Sequence, residues 1–149
     1  MLLVVVAAAG ASPLVLNEVL YDPPGADGGL EFVEIAAAAG GPPDASLAGW
    51  VLETGNGASP GSWKVAWTGG TEDRVQDGLF VVGESGVEPP PDVVADLDLQ
   101  NGPDACRLRG PGGVTDVLGW GAPLDPSLYE GAPAEDVSGT ALARLPDGF

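Results

Sequence analysis

Apolar positions in this chain come in short runs, and nearly every run stops at Gly, Pro, Asp or Asn. Within the runs they tend to alternate with polar positions, the period of a strand whose side chains point to opposite faces. Leu14–Tyr21 (LVLNEVLY) predicts the first well-marked strand, stopped by Asp22-Pro23-Pro24-Gly25. Strict alternation there puts Leu14, Leu16, Glu18 and Leu20 on one face and Val15, Asn17, Val19 and Tyr21 on the other. Leu30–Ile35 (LEFVEI) predicts a second strand, again with acids among its apolar residues. Ala36–Ala39 favours helix by propensity, but four alanines before Gly40-Gly41-Pro42-Pro43 cannot offset helix nucleation, so a loop is expected.

Further along, Leu47–Thr54 (LAGWVLET) predicts a third strand with a bulge or close approach at Gly49. Trp63–Trp67 (WKVAW) places Trp63, Val65 and Trp67 on one face and Lys64 and Ala66 on the other. Leu79–Gly83 (LFVVG) reads as a buried strand, and the proline run in 86–92 as a stiff connector. Val93–Leu99, Ala105–Arg109 and Val114–Trp120, with Asn101-Gly102 and Gly110–Gly113 between them, predict an antiparallel meander. A polar segment over 121–139 reads as a surface loop, and Thr140–Leu145 as a last short strand. Eight to nine short strands and no amphipathic helix suit an all-β fold, an immunoglobulin-like antiparallel β-sandwich.

Composition narrows the chemistry. The 149 residues are enough for one domain with a core. Twenty-four Gly and 15 Pro fall between the apolar runs, as turns would. The formal charge is −17, from 22 acids against Lys64, Arg74, Arg107, Arg109 and Arg144, so a nucleic-acid backbone is repelled and no nucleic-acid partner is expected. The chain contains no histidine, which removes Ser-His-Asp and Cys-His catalysis and His-ligated zinc together. Cys106 is the one cysteine, sits in an alternating apolar run, and reads as a buried, inert thiol.

The first residues, MLLVVVAAAGASP, form an apolar run ending in the small-x-small pattern Ala9-Gly10-Ala11. Residues 1–11 therefore read as the back half of a secretory signal peptide, with 12–149 as the exported domain. No basic residue precedes the run, which points to a misassigned start or to a fragment, and a first core strand over 2–9 is the alternative. The run is too short to span a bilayer, and an extracellular or cell-surface location is expected.

Several pieces of the chain are family-like when taken in order. They are Leu16-Asn17-Glu18-Val19 with Tyr21-Asp22-Pro23, then Asp27, then Glu31-Phe32-Val33-Glu34-Ile35, then Leu47-Ala48-Gly49-Trp50. Leu99-Gln100-Asn101-Gly102-Pro103-Asp104, the run from Leu108 to Trp120, and Leu142-Ala143-Arg144-Leu145-Pro146-Asp147-Gly148 follow. Together they resemble the lamin-tail domain as it occurs in bacterial exported proteins. The resemblance implies an immunoglobulin-like sandwich used as a non-catalytic binding or structural module, of the kind attached to secreted or surface proteins. Bacterial examples often continue with an Asp-rich segment where this chain ends at Phe149, so a truncated C-terminus is expected.

Three sets of residues are candidates for more than packing. Glu18, Glu34 and Arg144 lie in apolar strands, and a buried charge needs a partner, so Arg144 is expected to pair with Glu18 or Glu34. Asp22, Asp27 and Glu31 cluster around the first loop, where Ca²⁺ would find carboxylate and carbonyl oxygens; a solvated acidic turn is the alternative. Trp50, Trp63, Trp67 and Trp120 read mainly as core, with Trp63 and Trp67 the pair to find exposed if their face is solvated. The functional expectation is a module for a protein or cell-surface component. A calcium-dependent adhesion module and a carbohydrate-binding accessory domain remain open beside it.

Overall fold

The computed structural model describes residues 2–3, 12–25, 28–113, 115–122, 124–145 and 148. Most of the proposed signal segment, Asp27, Pro123 and Asp147 lie outside the described residues. Two sheets pack face to face. The first runs β1 (Leu2–Leu3), β10 (Leu142–Ala143), β2 (Leu14–Leu20), β3 (Phe32–Ala37), β6 (Leu79–Gly83) and β7 (Val93–Val94). The second runs β5 (Trp63–Thr68), β4 (Val51–Asn56), β8 (Asp104–Arg109) and β9 (Thr115–Trp120). The β1–β10 and β6–β7 pairs are parallel and the others antiparallel. The chain is thus an all-β sandwich, and a single 3-10 turn (Pro126–Leu128) stands outside its ladders among the described residues.

Period-two patterning explains the core. Leu14, Leu16, Val19, Val33, Ile35, Phe80 and Val82 of the first sheet meet Leu52, Cys106, Leu108, Leu118 and Trp120 of the second. Each fully buried Leu, Ile or Val contributes about 1.5–3 kcal/mol by leaving water. Tyr21 stacks on Trp120 with ring centroids 4.5 Å apart, and Trp67 lies against Phe80 at 5.3 Å. The Asp77-Gly78 turn between Gln76 and Leu79 has φ of 51° and 89°, the double positive-φ geometry that Asp-Gly supplies in a tight hairpin.

Bulges correct two of the expected faces. In β2 the register slips between Leu16 and Glu18, with Asn17 as the extra residue. Leu14 and Leu16 point inward before the bulge, and Val19 and Tyr21 after it. Glu18 therefore leaves the leucine face and lies across from Glu34 on the outer side of the ladder. In β5 a slip opposite Leu52 and Glu53 breaks the Trp63–Val65–Trp67 face. Trp67 turns inward at 8% exposure while Val65 is 54% exposed.

Other boundaries also move. Ala36 and Ala37 extend β3 rather than starting a loop, because Val15 and Leu14 pair with them. Leu47 to Gly49 form a turn closed by Trp50 N donating to Leu47 O at 3.0 Å, with Gly49 at φ 75°. The expected meander is split. Val93–Val94 joins β6 in the first sheet, and only β8 and β9 form the antiparallel pair. The intervening segment crosses between sheets with Leu97 and Leu99 buried, so Asn101-Gly102 is not a hairpin turn.

Candidate functional site

The sandwich uses its buried charges as cross-links between sheets. Arg144, just after β10, donates from Nη2 to both oxygens of Asp116 on β9, at 3.1 and 3.0 Å. Asp116 also accepts from Leu16 N on β2 at 2.6 Å. Burial pushes the Asp116 carboxyl up, against the pull of the Arg144 charge and the Leu16 amide. The expected partner of Arg144 is Glu18 or Glu34; the ion pair seen is with Asp116, because the Asn17 bulge turns Glu18 to the outer face and Glu34 points the same way between the inward Val33 and Ile35. Glu34 there accepts from Asn17 Nδ2 at 2.8 Å. Asp116 was legible in principle, since it alternates with Leu118 and Trp120 on one strand face.

Asp22 and Glu31 are the two proposed calcium ligands that the structure describes. Glu31 is 5% exposed, and its carboxylate accepts from Leu99 N at 2.9 Å, fastening the crossing segment to the first sheet. Asp22 is half-buried and its carbonyl accepts from Gly139 N at 2.7 Å. Asp27 lies outside the described residues. Among the described residues no three His, Cys, Asp or Glu side chains gather as a metal site. In the 121–139 segment, Asp125 caps the 3-10 turn through Ser127, and Asp136 accepts from Tyr21 Oη at 2.9 Å. Cys106 is fully buried, and burial, then the charges of Asp116 and Asp104, push its thiol far up and out of reactivity.

The tryptophan pair is divided as well. Trp67 belongs to the core, whereas Trp63 stays on the outer face of the second sheet. There its ring lies over Gly55 of β4; a Cβ at that glycine would come within 2.9 Å of the indole, so only Gly admits this approach. The Arg107 guanidinium stands 4.1 Å from the Trp63 ring centroid. Arg107 Nε also donates to Glu53 Oε2 at 2.6 Å, and Arg109 Nε reaches the same oxygen at 3.2 Å. Burial pushes the Glu53 carboxyl up, but hydrogen bonds and charge from the two arginines outweigh it and hold it below the usual range. Alternation produces the set: Arg107 and Arg109 face outward because Cys106 and Leu108 face inward.

Beside this face, the end of β4, the start of β5 and the crossing segment enclose an open cleft of about 370 Å³. Thr54, Asn56, Ser59, Ser62, Trp63, Lys64, Asp98, Gln100 and Asp104 line it. Lys64 Nζ donates to Asp98 Oδ2 at 3.2 Å, and Asn56 Nδ2 to Gln100 Oε1 at 2.9 Å. Gln100 is fixed at both backbone ends: its N–H donates to Asp104 Oδ2 at 3.0 Å and its carbonyl accepts from Trp120 Nε1 at 3.0 Å. Asp104 is 2% exposed, and its Oδ1 has no hydrogen-bond partner among the described residues. Burial pushes its carboxyl up to about 6, although the amides of Gln100, Gly57 and Ala105 pull the other way. The cleft is not visible in the sequence because its residues come from the β4–β5 hairpin and from a stretch over 98–104, which alternation does not connect.

Among the described residues no helix is long and apolar enough to cross a membrane. Comparison of the chain with family models, curated proteins and solved structures finds no match.

Proposed function

We propose that this chain is a non-catalytic, exported binding module of the lamin-tail-domain kind that engages a protein or cell-surface component. The observation that carries the reading is the outer face of the second sheet, where Trp63, Arg107 and Arg109 are drawn together around Glu53. A solvated sheet face needs only polar side chains, so an indole stacked with one of two tethered guanidiniums is more than folding requires. Trp and Arg are the residues that dominate binding energy at interfaces. Glu53 holds both guanidiniums in place, which reduces the rotamer entropy lost when a partner docks. The order of motifs from Leu16 to Gly148 supports the family reading, and the apolar run ending at Ala11 supports export. The absence of histidine from the sequence and the burial of Cys106 leave histidine base catalysis and thiol nucleophiles out of any reaction scheme.

The test is binding of the N-terminally labelled chain to intact bacterial cells, read by flow cytometry. Saturable binding is expected. The Trp63→Ala, Arg107→Ala double variant should bind at least about tenfold more weakly, the size of a modest hot spot. Its far-UV circular dichroism should be unchanged. Non-saturable binding, or equal binding by the variant, would overturn the reading.

A further inference from the structure

The cleft beside Trp63 is built for a ligand of particular chemistry. Its mouth carries an ammonium and a carboxylate, Lys64 and Asp98, whose charges cancel. An anionic ligand meets Asp98 at the mouth and Asp104 at the floor. A small cation meets Lys64, and no group of three carboxylates gathers to hold it among the described residues. A neutral, hydrogen-bonding ligand meets neither obstacle. The lining offers donors (Lys64 and the Gln100 and Asn56 amide N–H groups), acceptors (Asp98 and the amide oxygens) and the hydroxyls of two serines. A sugar hydroxyl is donor and acceptor at once, so it needs such groups side by side. Trp63 also lines the cleft and adds apolar contact area beside these polar groups.

We infer that this cleft is a saccharide subsite, taking one or two neutral sugar units of a cell-surface glycan. The inference rests on the reading of the chain as a binding module and names the class of component it engages. Its volume, about 370 Å³, falls at the small end of ligand sites, which run from about 300 to 1,000 Å³. Two observations say that the site is prepared. Gln100 is anchored at its N–H by Asp104, at its carbonyl by Trp120 and at its side chain by Asn56, so little order is lost on binding. Asp104 lines the cleft nearly fully buried, and its Oδ2 holds the Gln100 N–H from behind, so the wall that carries Gln100 is fixed before a ligand arrives. The Lys64–Asp98 pair is 53% and 65% exposed at its side chains, and pairs so exposed are weak, so both groups exchange partners readily.

The experiment is ¹H–¹⁵N correlation spectroscopy of the full chain titrated with glucose, galactose, mannose, N-acetylglucosamine and their soluble oligosaccharides. Triglycine serves as the peptide control. With at least one sugar, the Trp63 indole N–H and the Gln100 and Asn56 side-chain amides should shift in a saturable way, while the core Trp67 indole stays put. Gln100→Ala should weaken that sugar at least about fivefold, the loss of a hydrogen bond, with the remaining spectrum preserved. The same sugar should displace the labelled chain from cells. No shift with any sugar, shifts confined to other surfaces, shifts from triglycine alone, or insensitivity to Gln100→Ala would each overturn the inference. If cells are bound through Trp63 and Arg107 but no sugar competes, the subsite is refuted and the binding module stands. If cells are not bound at all, the module reading fails first.

Discussion

Replacing Asp104 by Asn should change how the stability of this protein depends on pH. The wild-type carboxyl is 2% exposed and is pushed from its ordinary 3.8 up to about 6, chiefly by burial. That displacement of about 2 pH units corresponds to about 3 kcal/mol. The sign follows from proton linkage. Between about pH 4 and pH 6 the folded chain holds this proton more tightly than the unfolded chain, so the Asp104 contribution falls as pH rises through that window. Above about 6 the native state carries a buried carboxylate with one oxygen lacking a partner among the described residues; below about 4 both states are protonated and the penalty is gone. Asn cannot ionise. Denaturant unfolding followed by tryptophan fluorescence at steps from pH 4 to 7.5 gives the stability of both chains. The variant should gain on wild type by about 3 kcal/mol across that range, about 10 °C in Tm for a domain this size. Any constant cost of fitting the amide appears as an offset and cancels in the slope. Asp116, Glu53 and Glu130 titrate in both chains and cancel too. Parallel stability curves would refute the argument that Asp104 is held charged and buried at neutral pH.

Arg144→Ala strands Asp116 in the core without its cation and should cost about 3–5 kcal/mol by thermal or urea unfolding; a loss under about 1 kcal/mol would contradict the clamp. Pairing Arg144→Met with Asp116→Asn should recover most of that loss, because the buried charge is removed with its partner while the amide oxygen still accepts from Leu16 N. Tyr21→Phe deletes the hydroxyl that donates to Asp136 and accepts from Val137 N, and should cost about 1–2 kcal/mol with the fold intact by circular dichroism. Cys106 should resist a disulfide reagent such as dithiobis-nitrobenzoate in the native chain and react fully in guanidinium, so prompt native labelling would show the core open.

The extent to which the chain could be read in advance is clearest in β6 and β8. Leu79–Gly83 was expected and found with the same ends, and Ala105–Arg109 gained only Asp104. Both lie inside the sheets, where apolar positions repeat without interruption. The weaker readings have one physical origin. A bulge adds a residue without altering composition, so Asn17 and the slip in β5 reversed which side chains reach the core. That reversal took Glu18 out of the leucine face and separated Trp63 from Trp67. With Glu18 turned outward, Arg144 pairs with Asp116, 28 residues earlier in the chain.

By itself, the sequence determined the all-β class, the short strands and their turns, a core built from alternating Leu, Val, Ile and Trp, and the acidic surface. These follow from local patterning and from the φ demands of Gly, Pro and Asp-Gly, which act on neighbours along the chain. Only the tertiary structure decided which sheet each strand joins, as when Val93–Val94 left the expected meander for β6. It also decided that Asp116 and Arg144 clamp the sheets, that Glu53 gathers two arginines beside Trp63, and that the β4–β5 hairpin and the distant 98–104 stretch close around the polar cleft. Those arrangements depend on register and on packing between faces, where a one-residue slip turns a side chain from solvent to core.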